Sequence, residues 1–424
     1  MEKKFTKTEW SWIFYDWANS VYATNILAVI FPIYFGSVCA QNGADNLVLW
    51  SYGTSAATFT VAVLAPILGA LGDHKGYKKK LFAGFLLLGV LFTLLSAFAD
   101  NYRLLLVGYV ISHIGFSGSN LFYDSFLTDV TTPERMDRVS SWGYAMGYIG
   151  GSTIPFVISI VILMTMGMTN LLAFKLVIVL TSLWWMIFSI PALKNLKQIN
   201  YIESKDLVRS SLKNLAHTAK EIVSTKGIFL FLLAYFFYID GVNTVISVST
   251  SYGSRLGLDT VSMILALLVT QLVAVPFSIL FGKFAGKVGS VNILSGAVAV
   301  YFFITIVGFF MGFNIEQNPG DQAALTLSLV LFWCMAFLVG TVQGGIQAIS
   351  RSYFGKLIPP ERSNEYFGFF DIFGKFAAVI GPMLVAVFTQ LTGRNSVGVI
   401  SLAVLFLLGF VLLTVGKRKG LLVR

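Results

Sequence analysis

Asp16, Asn19 and Ser20 stand three and four residues apart in Tyr15-Asp16-Trp17-Ala18-Asn19-Ser20-Val21-Tyr22, at the head of an apolar run that reaches Val38. On a helix these positions share one face. A carboxylate inside a membrane is costly unless it is paired or hydrated, so Asp16 reads first as a functional group with a partner to find. The same D-x-x-N-[ST]-V pattern returns at Asp240-Gly241-Val242-Asn243-Thr244-Val245. A carboxyl in such a place can carry a proton or bind a cation. The amides of Asn19 and Asn243 both donate and accept, which suits a zwitterionic solute or the carboxylate itself. A structural reading stays open beside these: the two aspartates fix helix packing by hydrogen bonds.

Two further helices carry polar stripes at helical spacing. One has His113, Ser117, Asn120 and Asp124; the other has Gln343, Gln347 and Ser350. The stripe from Asp240 continues through Thr244, Ser247 and Ser251. His113 is either a packed residue or part of a proton relay. Asp124, nearer a helix end, is a candidate gate partner of Arg351 or Arg138. Nearby aromatic residues (Tyr15, Trp17, Tyr22, Phe122, Tyr123) and few cations point to a small neutral or zwitterionic solute.

The elements that must hold these groups follow from composition. Hydrophobic residues make up 56% of the 424 and charged residues 12%, about half the charge of a soluble domain. The apolar residues fall in blocks of roughly twenty, the length a helix needs to cross ~30 Å of hydrocarbon. Spans are expected at 13–37, 48–71, 81–99, 103–127, 139–165 and 171–192. After a polar stretch come 227–251, 259–281, 290–313, 324–350, 366–391 and 396–416. This is an all-α polytopic membrane protein of twelve helices in two six-helix halves, 1–192 and 227–424. A basic linker, 193–226, joins them. It reads as a solvated tether, with a surface helix over Ser204–Val223 that could lie on anionic lipid headgroups.

Lys and Arg concentrate on the cytoplasmic side of membrane proteins. Placing both termini and the linker on one side gathers nearly all loop cations there, including Lys75, Lys78–Lys80, Arg135, Arg138, Arg351 and Arg362. Only Arg103, Arg255 and Arg394 fall opposite. Both termini are therefore expected in the cytoplasm. The net charge of +10 is spread over short loops, so it does not indicate nucleic acid. Cys39 and Cys334 are expected at different depths and unpaired. The three histidines are too scattered for a metal cluster, and no nucleotide-binding loop is present.

The halves repeat one another. Gly69-x6-Gly76 after span 2 matches Gly282-x6-Gly289 after span 8, and Pro133-Glu134-Arg135 matches Pro360-Glu361-Arg362. Parallel repeats of this kind are a transporter architecture with a site near mid-membrane. The loop Gly69-Ala70-Leu71-Gly72-Asp73-His74-Lys75-Gly76-Tyr77-Lys78-Lys79-Lys80 resembles the signature loop between helices 2 and 3 of the major facilitator superfamily. His74 and Tyr77 depart from the basic residues preferred there. The resemblance implies a gate held by Asp73, Gly69, Gly72 and Gly76. Asp73 can favour the N-terminal end of a neighbouring helix through its dipole. Gly282, Gly289, Asp124, Arg135 and Arg351 are further gate candidates. It also implies that spans 1, 4, 7 and 10, which carry the four polar stripes, line a central cavity.

Tyr15–Tyr22, the Pro-Glu-Arg turn and Gly143-Tyr144-Ala145-Met146-Gly147-Tyr148-Ile149-Gly150-Gly151 narrow the likeness to the vacuole-effluxer-like branch. That branch contains fungal autophagy-related vacuolar amino-acid exporters. The resemblance implies secondary transport of an amino acid or similar zwitterion by alternating access. The substrate and proton residues would be Asp16, Asn19, Ser20, His113, Ser117, Asn120, Asp240, Asn243, Thr244, Ser247, Gln343 and Gln347. The coupling ion would be H⁺, with Na⁺ the alternative. No enzyme activity and no cofactor are expected; the partners are solute and membrane lipid, and the protein is expected to be a monomer. Two other readings stay open: a passive facilitator with structural aspartates, and a non-transporting membrane sensor or assembly factor.

Overall fold

The structure, a computed structural model, describes residues 4–203 and 207–422. Among the described residues, twelve helices are long and apolar enough to cross a membrane. Spans 1 to 6 are Lys7–Gln41, Val48–Gly72, Tyr77–Ser96, Tyr102–Val130, Pro133–Met166 and Leu171–Asn195. Spans 7 to 12 are Lys226–Arg255, Leu265–Val288, Ser290–Gln317, Gln322–Leu357, Pro360–Thr392 and Asn395–Arg418. The protein is an all-α integral membrane protein. Each span overlaps the stretch expected for it. Spans 5 and 10 run one to two turns further at the end that carries the basic loops, called here the basic end. Proline at the first helical position starts span 5 at Pro133, where a missing N–H costs nothing.

Local chemistry explains the breaks. A capping box opens span 1: Glu9 N–H donates to Thr6 Oγ1, and Thr6 N–H donates to the Glu9 carboxylate. These bonds satisfy two helix-end donors at once. Span 1 widens into a π turn at Ala23–Ala28, and span 5 does so at Gly147–Thr153. The span 5 glycines let the two helices touch. A Cβ on Gly150 would fall 1.7 Å from the Trp17 ring, and one on Gly151 would fall 2.2 Å from Ser20 Cβ. At the basic end, Gly76 and Gly289 hold the repeated loops in left-handed turns (φ 78° and 95°) that favour glycine. The repeat is incomplete: Gly286 stands where the first loop has Asp73.

The chain divides into two compact units. The first takes Met1–Val139, Met146–Thr218 and Ile358–Asp371; the second takes Ser140–Ala145, Ala219–Leu357 and Ile372–Arg424. Each sequence half thus lends one short segment to the unit built mainly by the other. The start of span 11 packs in the first unit, and part of the first turns of span 5 packs in the second.

The linker departs from a free tether. A helix covers Leu207–Ser224, close to the expected 204–223. Ser204 and the side chains of Leu207 and Leu212 lie outside the described residues. The preceding segment, 196–203, is laid along the basic end of the first unit.

Candidate functional site

In the first unit, Asp16 and Asn19 are buried on span 1, 8% and 4% exposed. The Tyr123 hydroxyl donates to Asp16 Oδ2 at 2.7 Å. Asn19 Nδ2 donates to Asn120 Oδ1 at 2.8 Å, and Ser20 Oγ donates to Asn19 Oδ1 at 3.4 Å. The stripes on spans 1 and 4 therefore meet. Trp12 fixes Tyr123 from behind, stacking at 4.4 Å and donating its indole N–H to the Tyr123 carbonyl at 2.7 Å. Ser117 is buried on the same stripe. His113, two turns from Asn120, packs edge-on against Tyr109 at 5.6 Å. Tyr15, Tyr22, Phe122 and Tyr123 are core residues with almost no exposed surface. They shape the cluster by packing, and Tyr123 also lends it a hydroxyl.

Asn25 is a polar residue that stripe reasoning passes over. It sits in the π turn of span 1, fully buried. Its Nδ2 donates to Ser159 Oγ on span 5 at 3.0 Å and Thr181 Oγ1 on span 6 at 2.9 Å. Nine residues after Asp16 and six after Asn19, it falls on another face of the helix.

In the second unit, Asp240 is fully buried. Both its oxygens accept from the backbone N–H of Gly381, at 2.9 and 3.0 Å, and Thr244 Oγ1 donates to Oδ1 at 3.4 Å. Gly381 precedes Pro382 inside span 11. A Cβ there would lie 2.0 Å from Thr244 Oγ1. Asn243 makes no cross-helix hydrogen bond among the described residues. Ser247 Oγ and Gln347 Nε2 bond carbonyls of their own helices, those of Thr244 and Gln343. Gln343 lines a cavity of about 100 Å³ with Ser249, Thr270 and Gln271. Tyr238 and Ser350 share a hydrogen bond of 2.6 Å.

Arg351 is buried at the basic end of this unit. It donates to Ser140 Oγ at 3.0 Å and to the Ser140 carbonyl at 3.2 Å, and its guanidinium lies 4.6 Å from the centre of the Tyr144 ring. Span 10 thereby holds the start of span 5. Arg135, by contrast, clamps Glu9 at the head of span 1 through Nε at 2.8 Å and a second nitrogen at 2.7 Å.

The glycine loop forms a clasp within the first unit. Asp73 is 1% exposed. Its Oδ1 accepts from Asn364 N at 2.9 Å and Asn364 Nδ2 at 2.7 Å, and its Oδ2 from Glu365 N at 3.0 Å. These backbone donors are the orphan N–H groups that begin the helix Ser363–Thr392, where negative charge is favoured. Gly69 and Gly72 permit the approach: a Cβ on Gly69 would lie 2.4 Å from the Asn364 carbonyl oxygen, and one on Gly72 2.6 Å from the Phe122 ring. Burial pushes the Asp73 carboxyl up to about 7, against the Lys78 charge and the three donors that pull it down. Burial moves His74 the other way, below the ordinary imidazole value.

Lys78, the second residue of span 3, has no exposed surface. Its three protons find Asp129 Oδ2 at 2.7 Å, Ser363 Oγ at 2.9 Å and the Ser125 carbonyl at 3.3 Å. Ser125 Oγ also donates to Asn364 Oδ1. The sequence reading took Lys78 as a topological charge and as one of the basic residues of the loop signature, because a lysine cluster in a loop gives no sign of which member is buried.

The linker head completes the arrangement. Asp129 Oδ1 accepts from Ile199 N, Asn200 N and Asn200 Nδ2, at 3.0, 2.8 and 3.0 Å. Gln198 Nε2 donates to the carbonyls of Gly72 and His74 at 3.0 and 3.1 Å, and its Oε1 accepts from Gly76 N at 2.8 Å. Ile202 N donates to the Asp73 carbonyl at 2.8 Å.

Twelve membrane helices, a glycine-rich clasp and paired polar stripes define a transporter of the major facilitator type. Solved structures share this fold. The fucose:proton symporter of E. coli matches with a TM-score of 0.69 at 15% identity, covering 96% of this chain and 98% of that one. A bacterial homologue of the iron transporter ferroportin, in an outward-facing state, matches with a TM-score of 0.67 at 13% identity, covering 97% and 98%. Residues 47–134 and 128–420 match the family described as vacuole effluxer Atg22 like. The chain belongs to that family. A relative in Bacillus subtilis, YxiO, described as an uncharacterized MFS-type transporter, is 45% identical over 97% of this chain and 95% of its own length. Autophagy-related protein 22-1 of Aspergillus fumigatus is 27% identical over 69% of this chain and 51% of its own length.

Proposed function

We propose that this transporter moves an amino acid or similar zwitterion by alternating access, with proton movement through Asp16. The observation that carries the reading is the cluster of Asp16, Tyr123, Asn19 and Asn120. It is the place in the first unit where a carboxylate, a phenol and two amides from two membrane helices converge. A carboxylate there can hold a substrate ammonium or a proton, and the amides can receive a carboxylate or neutral group. The likeness to the effluxer family favours an amino acid. The basic loops favour a chain with both termini in the cytoplasm and the Asp73 clasp as the cytoplasmic gate. Asp240 serves in this reading as a packing group rather than a second carrier.

The test is flux into sealed liposomes. Labelled amino acids should accumulate under a pH gradient in wild type and not in Asp16→Asn. Accumulation driven by Na⁺ alone would replace the proton; downhill flux insensitive to both gradients would leave a facilitator. Absence of flux for amino acids, dipeptides, sugars and nucleosides alike would sink the transport reading.

A further inference from the structure

We infer that the head of the linker, Leu196–Glu203, is a working part of the gate, with Gln198 and Asn200 as its positioning residues. The inference rests on the reading of the Asp73 clasp as a gate, and extends it to a segment outside the loop motif.

The bonds form a chain. Asn200 and Ile199 saturate one oxygen of Asp129, which leaves the other to hold Lys78. Lys78 then presents a second proton to Ser363 Oγ, at the first turn of span 11. The Lys78–Asp129 pair has no solvent contact on either side chain. In such a place a missing donor to Asp129 is not replaced by bulk water, so the carboxylate must turn and share both oxygens with Lys78. Gln198 acts on the second arm. It binds the Gly72 and His74 carbonyls on either side of Asp73 and takes the N–H of Gly76. That fixes the loop so that Asp73 meets the start of span 11 with both oxygens. Span 6 ends at Asn195, so the strap ties movement of the linker directly to both arms of the clasp. The exposed Lys75–Glu203 pair at its far end, 3.2 Å, is solvent-screened and contributes little.

Cysteine accessibility tests this without any solute. In a background with Cys39→Ser and Cys334→Ser, Ser125→Cys lies under Asn364 and reacts with maleimide only when the first turn of span 11 withdraws. Gln198→Ala and Asn200→Ala should each raise the labelling rate about fivefold, the weight of one or two hydrogen bonds, while Glu203→Ala leaves it unchanged. On a Ser363→Ala background the Asn200→Ala increment should largely vanish, because both changes break the same link. If Asn200→Ala does not fold, Ile202→Pro, which removes the N–H given to the Asp73 carbonyl, should raise labelling in its place. A lowered melting temperature with unchanged labelling, or full additivity with Ser363→Ala, makes the strap merely structural and overturns the proposal. Labelling that occurs but ignores the strap leaves the gate reading intact. No labelling in any variant, Asp73→Asn included, overturns both.

Discussion

Asp16 and Asp240 occupy repeated positions, yet their surroundings differ in kind. Asp16 is held by a side chain, the Tyr123 hydroxyl, and keeps a little exposed surface. Asp240 is sealed, with both oxygens on a backbone N–H beside a proline. A side-chain partner can swing away when a proton or ligand arrives. A backbone N–H beside Pro382 cannot leave without bending span 11. The two sites share a second feature: the serine or threonine one turn on, Ser20 or Thr244, meets a glycine of span 5 or span 11. The repeat thus preserves the way the helices touch, while the carboxylate is held by a side-chain hydroxyl in one half and by a backbone N–H in the other; under the proposed function the first works and the second packs.

The largest effect should separate the two. Asp240→Leu strands the Gly381 N–H in an apolar site and should cost about 1–3 kcal/mol of stability, read as a lower melting temperature, whereas Asp16→Asn should leave melting nearly unchanged and abolish concentrative flux. If the two variants behave alike in both assays, the division of labour is wrong. Next, Gly381→Ala drives a methyl into Thr244 and should destabilise by about 1–3 kcal/mol, an overpacking cost. Gly147→Ala meets a Ser20 hydroxyl that can rotate, with its Cβ 2.7 Å from Ser20 Oγ, and should cost less in the same thermal assay. Tyr123→Phe should be milder still: it removes the hydroxyl that donates to Asp16 Oδ2 and should slow flux without abolishing it.

The smallest effect belongs to the Asp73 clasp. Asp73 in the clasp holds its proton up to about 7 against an ordinary 3.8. A group raised in this way favours the clasped form below about 4, and loses that contribution as pH rises through 7. Maleimide labelling of Ser125→Cys, divided at each pH by the rate of a fully exposed cysteine to remove the thiolate's own pH dependence, should therefore quicken modestly between pH 6 and pH 8. Labelling that slows over this interval would reverse the sign assigned to burial.

Much of the architecture was written in the chain. Apolar blocks marked the spans, and glycine spacing marked the clasp, since few residues other than Gly69 and Gly72 let a helix pass at such distance. Helical spacing also brought Asn19 to Asn120. It could not tell Asp16 from Asp240, because the difference lies in a backbone N–H that every residue but proline carries. Gln198 and Asn200 escaped notice for a related reason. Gln198 binds carbonyls, which have no side-chain signature, and polar residues in a linker look solvated by default. Lys78 was hidden among its neighbours Lys75, Lys79 and Lys80.

The π turn at Ala23–Ala28 carries a consequence for how span 1 can change over time. Such a turn holds one residue more than an α turn, and each residue in a helix rotates its successor by about 100°. Removing one residue ahead of Asn25 would re-phase the C-terminal half, Ile30–Gln41, against its neighbours and carry Asn25 away from Ser159 and Thr181. The N-terminal half, with Asp16 and Asn19, would keep its register. A single insertion or deletion at this joint can therefore redraw one end of the helix while the carboxylate stays where it is.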